Sequence, residues 1–309
     1  MITTITLNVA IDKAYQVDVF QTGEVNRVKK CTNTAGGKGL NVAKVAKISG
    51  EEVAASGFLG GHAGAYVEDM LKVEGVTCDF VHTKNETRSC INILADDGST
   101  TEFLEPGAEI YPEELQQFFD KFPQIVERSD VITISGSVPK GIGIDMYGKL
   151  IAMAKEKGKK VILDTSGELL KQGIEAKPTM IKPNTDEIQA LLGISVNNRE
   201  ELISSAKKLQ SMGIEVVVVS LGKDGALVVT DKGVYQGKPP KIQPVNTVGC
   251  GDSMVAAFAV GFARGYDMEE TLRYAVAVSA ANALTMATGN YKPEDRDRIL
   301  PQVEIERIE

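Results

Sequence analysis

One stretch near the C-terminal end of the chain combines two glycines with a carboxylate. In NTVGCGDSMVAAF, residues 246–258, Gly249 and Gly251 flank Cys250, and Asp252 follows directly before an apolar helical pattern. The glycines permit a sharp turn in which backbone N–H groups converge, and the start of a helix carries positive potential. A carboxylate in this anion-binding turn could take a proton from a hydroxyl while the turn stabilises a transferring phosphoryl group. The same spacing also fits a glycine turn followed by a helix-capping aspartate.

A second glycine-rich stretch, AGGKGLN at residues 35–41, surrounds a lysine. Its three glycines allow a ligand to approach the backbone beside Lys38, and Asn41 lies in the first turn of the apolar helical pattern that follows. The stretch is not a Walker loop, because Gly39 stands where Ser or Thr should follow the lysine. It therefore predicts a second ligand-binding turn, distinct in type from a Walker loop.

The elements around these turns indicate an α/β fold. Short β-rich runs that end in polar residues or glycine alternate with helical patterns, which is typical of a mostly parallel sheet with helices on both faces. The β-rich runs are ITTITLN (2–8), VITISG (131–136), KVILDTS (160–166), TMIKPN (179–184) and EVVVVSLG (215–222). Helical patterns lie between them, for example at 146–158 and 199–213. Because ligands bind beyond the C-terminal ends of such strands, the polar residues there are candidate site residues.

Two regions interrupt the alternation, residues 10–32 and residues 85–105. Each has the period-two pattern of paired strands, and the DDGS sequence predicts a hairpin turn in the second. Strands inserted in this way into an α/β chain often form a flap, and the chain contains no linker-like segment. We therefore predict one domain over residues 1–309, with a β lid formed by about 10–32 and 85–105.

Composition limits the classes of partner. The chain has 34 Lys and Arg against 42 Asp and Glu, a formal net charge of −8, which argues against nucleic acid and requires a local basic pocket for any anionic substrate. Four cysteines without CxxC spacing and two histidines indicate neither a zinc site nor a disulfide framework. The uncharged segment 274–291 is polar enough to predict a buried helix, and no signal peptide is apparent at the N-terminus. We expect a cytoplasmic protein without a membrane partner.

The two glycine-rich stretches together resemble the paired signatures of the ribokinase-like carbohydrate kinases of the phosphofructokinase B type. The resemblance extends along the whole chain through GEVNR (23–27), ETRSC (86–90), EPG (105–107), SGSVPKG (135–141), KPNTDE (182–187) and SLGKDG (220–225). Within the family, the chain is most similar to the subgroup of 1-phosphofructokinases and tagatose-6-phosphate kinases. The resemblance implies a mostly parallel central sheet with helices on both faces, a small β-sheet lid, and a homodimer formed through that lid.

The resemblance also implies roles for individual residues. The catalytic base would be Asp252, and the anion hole would be the backbone of Gly249, Cys250 and Gly251. The nucleotide would be bound by Lys182, Asn184, Ser220, Gly222, Gly225 and Asn282, with Asn184 and Glu187 organising magnesium. Glu187 could alternatively be an ordinary residue of a helix's first turn. The sugar side would consist of Asp12, Gly37, Lys38 and Asn41.

Two arginines, Arg27 and Arg88, lie one on each predicted lid segment. We interpret them as candidates for binding the phosphate that the acceptor already carries, because a guanidinium can contact two phosphate oxygens at once. Ordinary surface charge is the alternative for both, and Arg27 could also lie at a dimer contact.

Three positions depart from the family's pattern. Cys250 stands where alanine is usual, Asn246 stands where many members carry Asp, and Val9 replaces a common proline. The change to Asn246 leaves open whether a monovalent cation binds. A thiol beside an anion-binding helix N-terminus is expected to have a lowered pKa, whereas a sulfur that only fills the space of an alanine methyl would not.

The resemblance implies ATP-dependent phosphorylation of a ketohexose monophosphate, with ATP and Mg²⁺ as cofactors. Fructose 1-phosphate giving fructose 1,6-bisphosphate is the first interpretation, and tagatose 6-phosphate giving tagatose 1,6-bisphosphate is the alternative. Two more remote alternatives are a kinase for an unphosphorylated sugar or nucleoside and a non-catalytic sugar-phosphate sensor. Loss of the base, the magnesium pair or the anion turn would favour the sensor, and all three are present.

Overall fold

Two β-sheets and ten α-helices form the fold, in a computed structural model that describes all 309 residues. The strands are β1 Ile2–Thr6, β2 Ala10–Val17, β3 Lys30–Gly36, β4 Val53–Gly60, β5 Thr77–Cys78, β6 Val81–Thr83, β7 Arg88–Ala95, β8 Thr100–Leu104, β9 Val131–Ser135, β10 Lys160–Asp164, β11 Met180–Ile181, β12 Val216–Ser220, β13 Ala226–Thr230, β14 Gly233–Lys238 and β15 Glu304–Arg307. The helices are α1 Lys38–Ile48, α2 Gly61–Val73, α3 Pro112–Arg128, α4 Met146–Glu156, α5 Gly167–Glu175, α6 Thr185–Leu192, α7 Arg199–Gln210, α8 Cys250–Arg264, α9 Met268–Ala283 and α10 Pro293–Ile299.

The large sheet has the strand order β15-β14-β13-β12-β11-β10-β9-β1-β4-β5, and β6 also pairs with β4. Every pairing from β5 to β12 is parallel, whereas β13, β14 and β15 add antiparallel strands at one edge. The prediction of a mostly parallel sheet is therefore confirmed. Parallel pairing brings the C-terminal ends of β1, β9, β10 and β12 to the same edge of the sheet, where the polar ends of the predicted strands meet.

Helices cover both faces of this sheet, which explains the continuous apolar character of its central strands. All positions of β1, β4 and β9 are buried, as expected for parallel strands packed on both sides. One apolar cluster includes side chains of α1, α8 and α9, and a second includes side chains of α3, α4 and α7. The site described below lies on the α1 and α8 side.

A second, small sheet has the strand order β3-β2-β7-β8. The outer pairings are antiparallel, and the two central strands, β2 and β7, pair in parallel from Ala10 opposite Arg88 to Val17 opposite Ala95. The DDGS sequence forms the turn between β7 and β8, as predicted, with Gly98 at a φ of 83°. Strand β3 continues to Gly36, directly before α1, so the small sheet is joined to the glycine-rich turn without an intervening linker.

Some elements differ from the predicted runs. The run TMIKPN contributes only the two-residue strand β11, and its Pro183 lacks the N–H that would continue the ladder. The antiparallel strands β13, β14 and β15 did not stand out in the sequence. In the uncharged segment 274–291, residues 274–283 belong to the buried helix α9, as predicted, whereas residues 284–291 lie beyond its end. None of the helices has both the length and the apolar character needed to cross a bilayer.

Candidate active site

The turn that contains Gly249 and Gly251 forms the N-terminal end of α8. Gly249 has a φ of 82°, and a Cβ atom there would lie 2.8 Å from both the Gly289 nitrogen and the Thr288 Cγ2 atom, so only glycine fits. The backbone N–H groups of Gly251 and Asp252 donate to no protein acceptor. Free N–H groups at the positive end of a helix are suited to bind an anion.

Asp252 projects from the first turn of α8 and is 7% exposed. Its Oδ2 atom accepts a hydrogen bond of 2.8 Å from Asn41 Nδ2. The capping alternative is wrong, because Gly249 is the N-cap residue and no side chain caps this helix. Burial raises the pKa of Asp252 to about 6; the charge of Asp164 adds to the rise, and that of Lys38 opposes it. The carboxylate is thus ionised at neutral pH and still basic enough to accept a proton.

The AGGKGLN stretch forms the start of α1 and meets this carboxylate. Gly37 caps the helix with a φ of 107°, and a Cβ atom at Gly39 would lie 2.2 Å from Thr6 Oγ1 in β1. This close approach places buried Asn41 beside Asp252. The two glycine-rich stretches, far apart in sequence, therefore meet through one side-chain hydrogen bond.

A buried aspartate that the sequence analysis did not select, Asp164, lies between two lysines at the end of β10. It is 3% exposed, and its carboxylate oxygens lie 3.5 Å from Lys38 Nζ and 3.4 Å from Lys182 Nζ. Burial alone would raise the pKa of Asp164, but the charges of Lys182 and Lys38 outweigh it and lower that pKa. Asp164 in turn raises the pKa of Lys38. The polar end of the predicted strand KVILDTS was the available sequence signal.

The side chains of Asp12 and Arg88 approach the start of α1 from the small sheet. A Cβ atom at Gly36 would lie 2.3 Å from the Asp12 carboxyl carbon, so the two segments are in close contact. Burial raises the pKa of Asp12, while the nearby charges of Lys44 and Arg88 oppose the rise. This arrangement places one carboxylate and one guanidinium beside the AGGKGLN turn.

The two arginines differ in how firmly they are held. Arg88 donates from Nη1 to the carbonyl of Glu105 at 2.6 Å and from Nη2 to the carbonyl of Asn8 at 3.0 Å, and its buried Nε has no protein partner. Arg27 is exposed in the connection between β2 and β3, and its side chain has no hydrogen bond or ion pair within the chain. The structure therefore brings Arg88 to the other site residues and does not bring Arg27 there.

A cavity of about 830 Å³ lies between the start of α8, helix α9 and the loop after β12. Of the predicted residues, those that line it are Ser220, Gly222, Gly225, Cys250 and Gly251. Gly222 and Gly225 have positive φ values of 59° and 84°, which shape the loop. The volume lies within the usual range for a small-molecule pocket.

Asn282, which the resemblance placed among the nucleotide-binding residues, does not line this cavity. Its side chain is fully buried and does not reach the cavity. The Asn282 Oδ1 atom accepts from Ser253 Oγ at 3.0 Å, and Nδ2 donates to the carbonyl of Val248 at 3.1 Å. Asn282 thus supports the anion-binding turn from behind.

Asn184 and Glu187 form a capping box at the start of α6. Asn184 Oδ1 accepts from the Glu187 N–H at 2.8 Å, and Glu187 Oε2 accepts from the Asn184 N–H at 2.9 Å. The first-turn alternative for Glu187 is therefore correct as a description of its local structure. Its charge also contributes to the raised pKa of Lys38, and its Oε1 atom has no protein partner. One carboxylate oxygen thus remains available to a cation or to water.

Of the two alternatives for Cys250, the structure favours the space-filling sulfur over a thiol with a lowered pKa. Burial raises the pKa of Cys250, and this effect outweighs the hydrogen bond of 3.4 Å that its sulfur accepts from Asn282 Nδ2. Desolvation of the thiolate is the main cause of the rise, and the nearby charge of Asp252 adds to it. The side chain forms part of the cavity wall.

Comparison with known proteins agrees with this geometry. Residues 5–295 match the sequence profile described as pfkB family carbohydrate kinase. Over 308 residues the chain is 41% identical to tagatose-6-phosphate kinase of Staphylococcus epidermidis, with 99% of each chain covered. It is 35% identical to 1-phosphofructokinase of Bacillus subtilis, with 100% of each chain covered. The crystal structure of phosphofructokinase-2 from Escherichia coli in complex with potassium has a TM-score of 0.91 at 29% identity, covering 97% of this chain and 98% of that chain. This chain therefore belongs to the pfkB family and is a carbohydrate kinase.

Proposed function

We propose that this kinase transfers the γ-phosphoryl group of ATP to a primary hydroxyl of a ketohexose monophosphate. The observation that carries the proposal is the buried Asp252 carboxylate, with a pKa of about 6, at an anion-binding turn. Its neighbour Gly251 lines the 830 Å³ cavity, and the charges of Lys38, Lys182 and Asp164 act directly on the Asp252 carboxylate. Arg88 and Asp12 lie close to each other beside the AGGKGLN turn. The names of the two curated relatives support this class of acceptor.

In this mechanism, Asp252 accepts the proton of the sugar hydroxyl as its oxygen attacks the γ-phosphorus in line. The new bond joins the sugar oxygen to phosphorus, and the bond that breaks releases ADP, without a phospho-enzyme. Charge that develops on the transferring group is stabilised by the free N–H groups of Gly251 and Asp252 and by the ammonium groups of Lys38 and Lys182.

Two acceptors fit the proposal, fructose 1-phosphate and tagatose 6-phosphate. The first would give fructose 1,6-bisphosphate and the second tagatose 1,6-bisphosphate. They carry their phosphate at opposite ends, and a roughly symmetric furanose site could admit both. The 41% identity to a tagatose-6-phosphate kinase supports the second, and the 35% identity to a 1-phosphofructokinase supports the first.

The deciding experiment measures kcat/KM side by side for fructose 1-phosphate, fructose 6-phosphate, tagatose 6-phosphate and the free ketohexoses at one saturating ATP concentration. We expect the highest value for fructose 1-phosphate or tagatose 6-phosphate. A higher value for a free sugar would contradict the proposed acceptor class, and binding without turnover of any acceptor would support the sensor alternative.

Magnesium is the metal that this chemistry requires, and Glu187 and Asn184 are the residues that we propose to organise it. Mg²⁺ is usually bound by one or two carboxylates together with substrate phosphates, so a site with one free carboxylate oxygen fits it. The absence of any group of three His, Cys, Asp or Glu side chains suited to a metal is compatible with this sparse mode of binding. When bound, the ion would neutralise charge on the β- and γ-phosphates.

Glu187→Gln is expected to raise the magnesium concentration needed for half-maximal activity more than it raises the KM of the sugar phosphate. Glutamine can still accept the capping hydrogen bond but lacks the negative charge. Glu201→Gln is the matched control, because Glu201 occupies the same position in the first turn of α7, after the cap residue Asn198. The measurement is activity as a function of magnesium at fixed ATP, and an unchanged titration would rule out the metal role.

Arg88→Ala is expected to lower kcat/KM for the phosphorylated acceptor by about one to two powers of ten, because a charged hydrogen bond contributes roughly 1.5 to 3 kcal/mol. The loss for a free ketohexose should be much smaller. Both acceptors are assayed at the same ATP concentration, with Arg298→Ala on α10 as the surface control. Equal proportional losses on both acceptors would mean that Arg88 only supports the small sheet through the carbonyls of Glu105 and Asn8.

We further propose that two chains associate through the small sheet, which would act as the lid of the site. Exposed apolar side chains on this sheet support the proposal, with Phe103 51% and Leu104 67% exposed on β8 and Val25 82% exposed between β2 and β3. Light scattering should give twice the chain mass of 33.2 kDa for the wild type and a lower mass for Phe103→Asp. A monomer mass for the wild type at all assay concentrations would contradict the dimer.

A further inference from the structure

Lys44 in α1 is a buried cation that the mechanism above does not use. It is 6% exposed and forms no ion pair, yet its ammonium donates to the carbonyl oxygens of Ala35 at 2.9 Å and Thr288 at 3.2 Å. Burial lowers the pKa of Lys44, although the charges of Glu74, Asp12 and Asp252 oppose this change. Burying an ammonium without a paired carboxylate is unfavourable, so its presence beside the site requires a reason.

The first of the two carbonyls belongs to the acceptor side. Ala35 lies in β3, directly before Gly36 and Gly37, and the Asp12 carboxylate packs against Gly36. The ammonium of Lys44 therefore holds the strand that carries the start of the AGGKGLN turn.

The second carbonyl belongs to the segment that supports the anion-binding turn. Thr288 and Gly289 pack directly against Gly249, since a Cβ atom there would lie 2.8 Å from each of them. Gly289 also packs against Asn41, since a Cβ atom on Gly289 would lie 2.7 Å from the Asn41 Cβ. The segment thus touches both the turn before Asp252 and the residue that donates to Asp252.

We propose that Lys44 is a positioning residue for phosphoryl transfer, because it joins the acceptor-side strand β3 to the segment behind the Gly249 turn. The inference rests on the proposed transfer to a sugar hydroxyl. Through these two hydrogen bonds, the acceptor and Asp252 are held in one geometry. A displacement of about 1 Å between reacting groups can reduce a rate by about 10²-fold, so such a connection has a large effect on turnover.

The residues that make this connection lie outside the nucleotide cavity. Neither Lys44, Ala35 nor Thr288 lines the 830 Å³ cavity. Loss of the connection should therefore reduce kcat while leaving nucleotide affinity unchanged. A general loss of structure would instead weaken both.

The test compares Lys44→Met with Lys47→Met. Lys47 lies one turn further along α1, is partly exposed, and its side chain has no hydrogen bond or ion pair. We expect Lys44→Met to lower kcat by about 10- to 100-fold, with nucleotide affinity, measured by direct titration, within about twofold of wild type. Lys47→Met should retain wild-type kcat. Equal kcat in the two variants, or a parallel loss of nucleotide affinity and kcat in Lys44→Met, would overturn the proposal.

Two further variants keep the test decisive if Lys44→Met does not fold. Lys44→Gln places a neutral amide one bond short of the ammonium position and should give an intermediate loss of kcat, whereas Lys44→Arg retains the charge and enough donors for both carbonyls and should restore most of it. Wild-type turnover by Lys44→Gln would overturn the inference. All variants are assayed with the acceptor that the wild type uses best. If the proposed acceptor is wrong, the comparison of acceptors with the wild type will show it, whereas the ratio of variant to wild-type kcat will be unaffected.

Discussion

Asp252→Asn is expected to lower kcat by about 10² to 10⁴ while nucleotide affinity remains close to that of wild type, because a general base is lost and the cavity is not altered. The wild-type kcat should fall as the pH drops below about 6, since the base acts only when ionised and its pKa is about 6. The residual activity of the variant should lack this acidic limb. Measurements of kcat from pH 5 to pH 9 check both points, and a variant that keeps half of the wild-type turnover would exclude the role.

The same substitution is expected to stabilise the fold at neutral pH. The pKa of Asp252 rises from 3.8 to about 6 on folding, so the folded state disfavours its ionised form, and stability from this group is lost as the pH rises through that interval. The folded and unfolded pKa values differ by about 2, and each pKa unit corresponds to 1.36 kcal/mol, so the effect on the free energy of unfolding is about 3 kcal/mol. Urea unfolding at pH 8 should therefore show a higher free energy of unfolding for Asp252→Asn, with exposed Asp231→Asn as the control.

Asp164→Asn is expected to destabilise the fold by about 3 kcal/mol at pH 7, because it leaves buried Lys182 without its charged partner. Removing one partner of a buried ion pair usually costs about 3 to 5 kcal/mol. We expect the lower value here, because the side chain of Lys38, the other partner, is 45% exposed and its interaction is weakened by solvent. The folded-state pKa of Asp164 is lowered, so its contribution is present above the unfolded pKa and disappears as the pH falls through the folded value. The difference in free energy of unfolding between Asp164→Asn and the wild type should therefore become smaller at acidic pH.

Activity provides a second measure of the same variant. Asp164 raises the pKa of Asp252, so its neutralisation should move the acidic limb of kcat to lower pH. Asp231→Asn should change neither the unfolding curve nor the limb. An unchanged limb together with unchanged stability would mean that Asp164 interacts neither with Asp252 nor with the two lysines in solution.

The sequence predicted those site residues whose geometry depends on local backbone chemistry. Glycine spacing around Lys38 and Asp252 indicated two turns at helix starts, because positive φ angles and close backbone contacts select glycine. Asp164 has only the general signal of a polar residue at a strand end, and Lys44 has no local signal. Their importance depends on partners brought close only by the tertiary fold, and in sequence Lys44 resembles an ordinary solvated lysine of a helix.

At two positions burial determines which interpretation of the sequence applies. The helix start at Cys250 suggested a lowered thiol pKa, and the family position of Asn282 suggested a cavity wall. In both cases the degree of burial decided the outcome, since desolvation raises the pKa of the thiol and Asn282 is fully enclosed. Burial of a polar residue depends on neighbours distant in sequence, which local patterns do not report.

The parallel pairing of β2 with β7 has a consequence for how the protein is made. The strands pair from Ala10 opposite Arg88, and the chain between them first builds β3, α1, β4 and α2. The small sheet therefore cannot form while only the N-terminal hairpin has left the ribosome, and such non-local pairing is slow compared with local helix formation. Pulse-labelled hydrogen exchange during refolding should show the amides of β2 and β7 becoming protected after those of α8. A refolding chain would thus acquire the phosphoryl-transfer side of its site before the acceptor side, whereas on the ribosome β2, β3, β7 and β8 are all synthesised before α8.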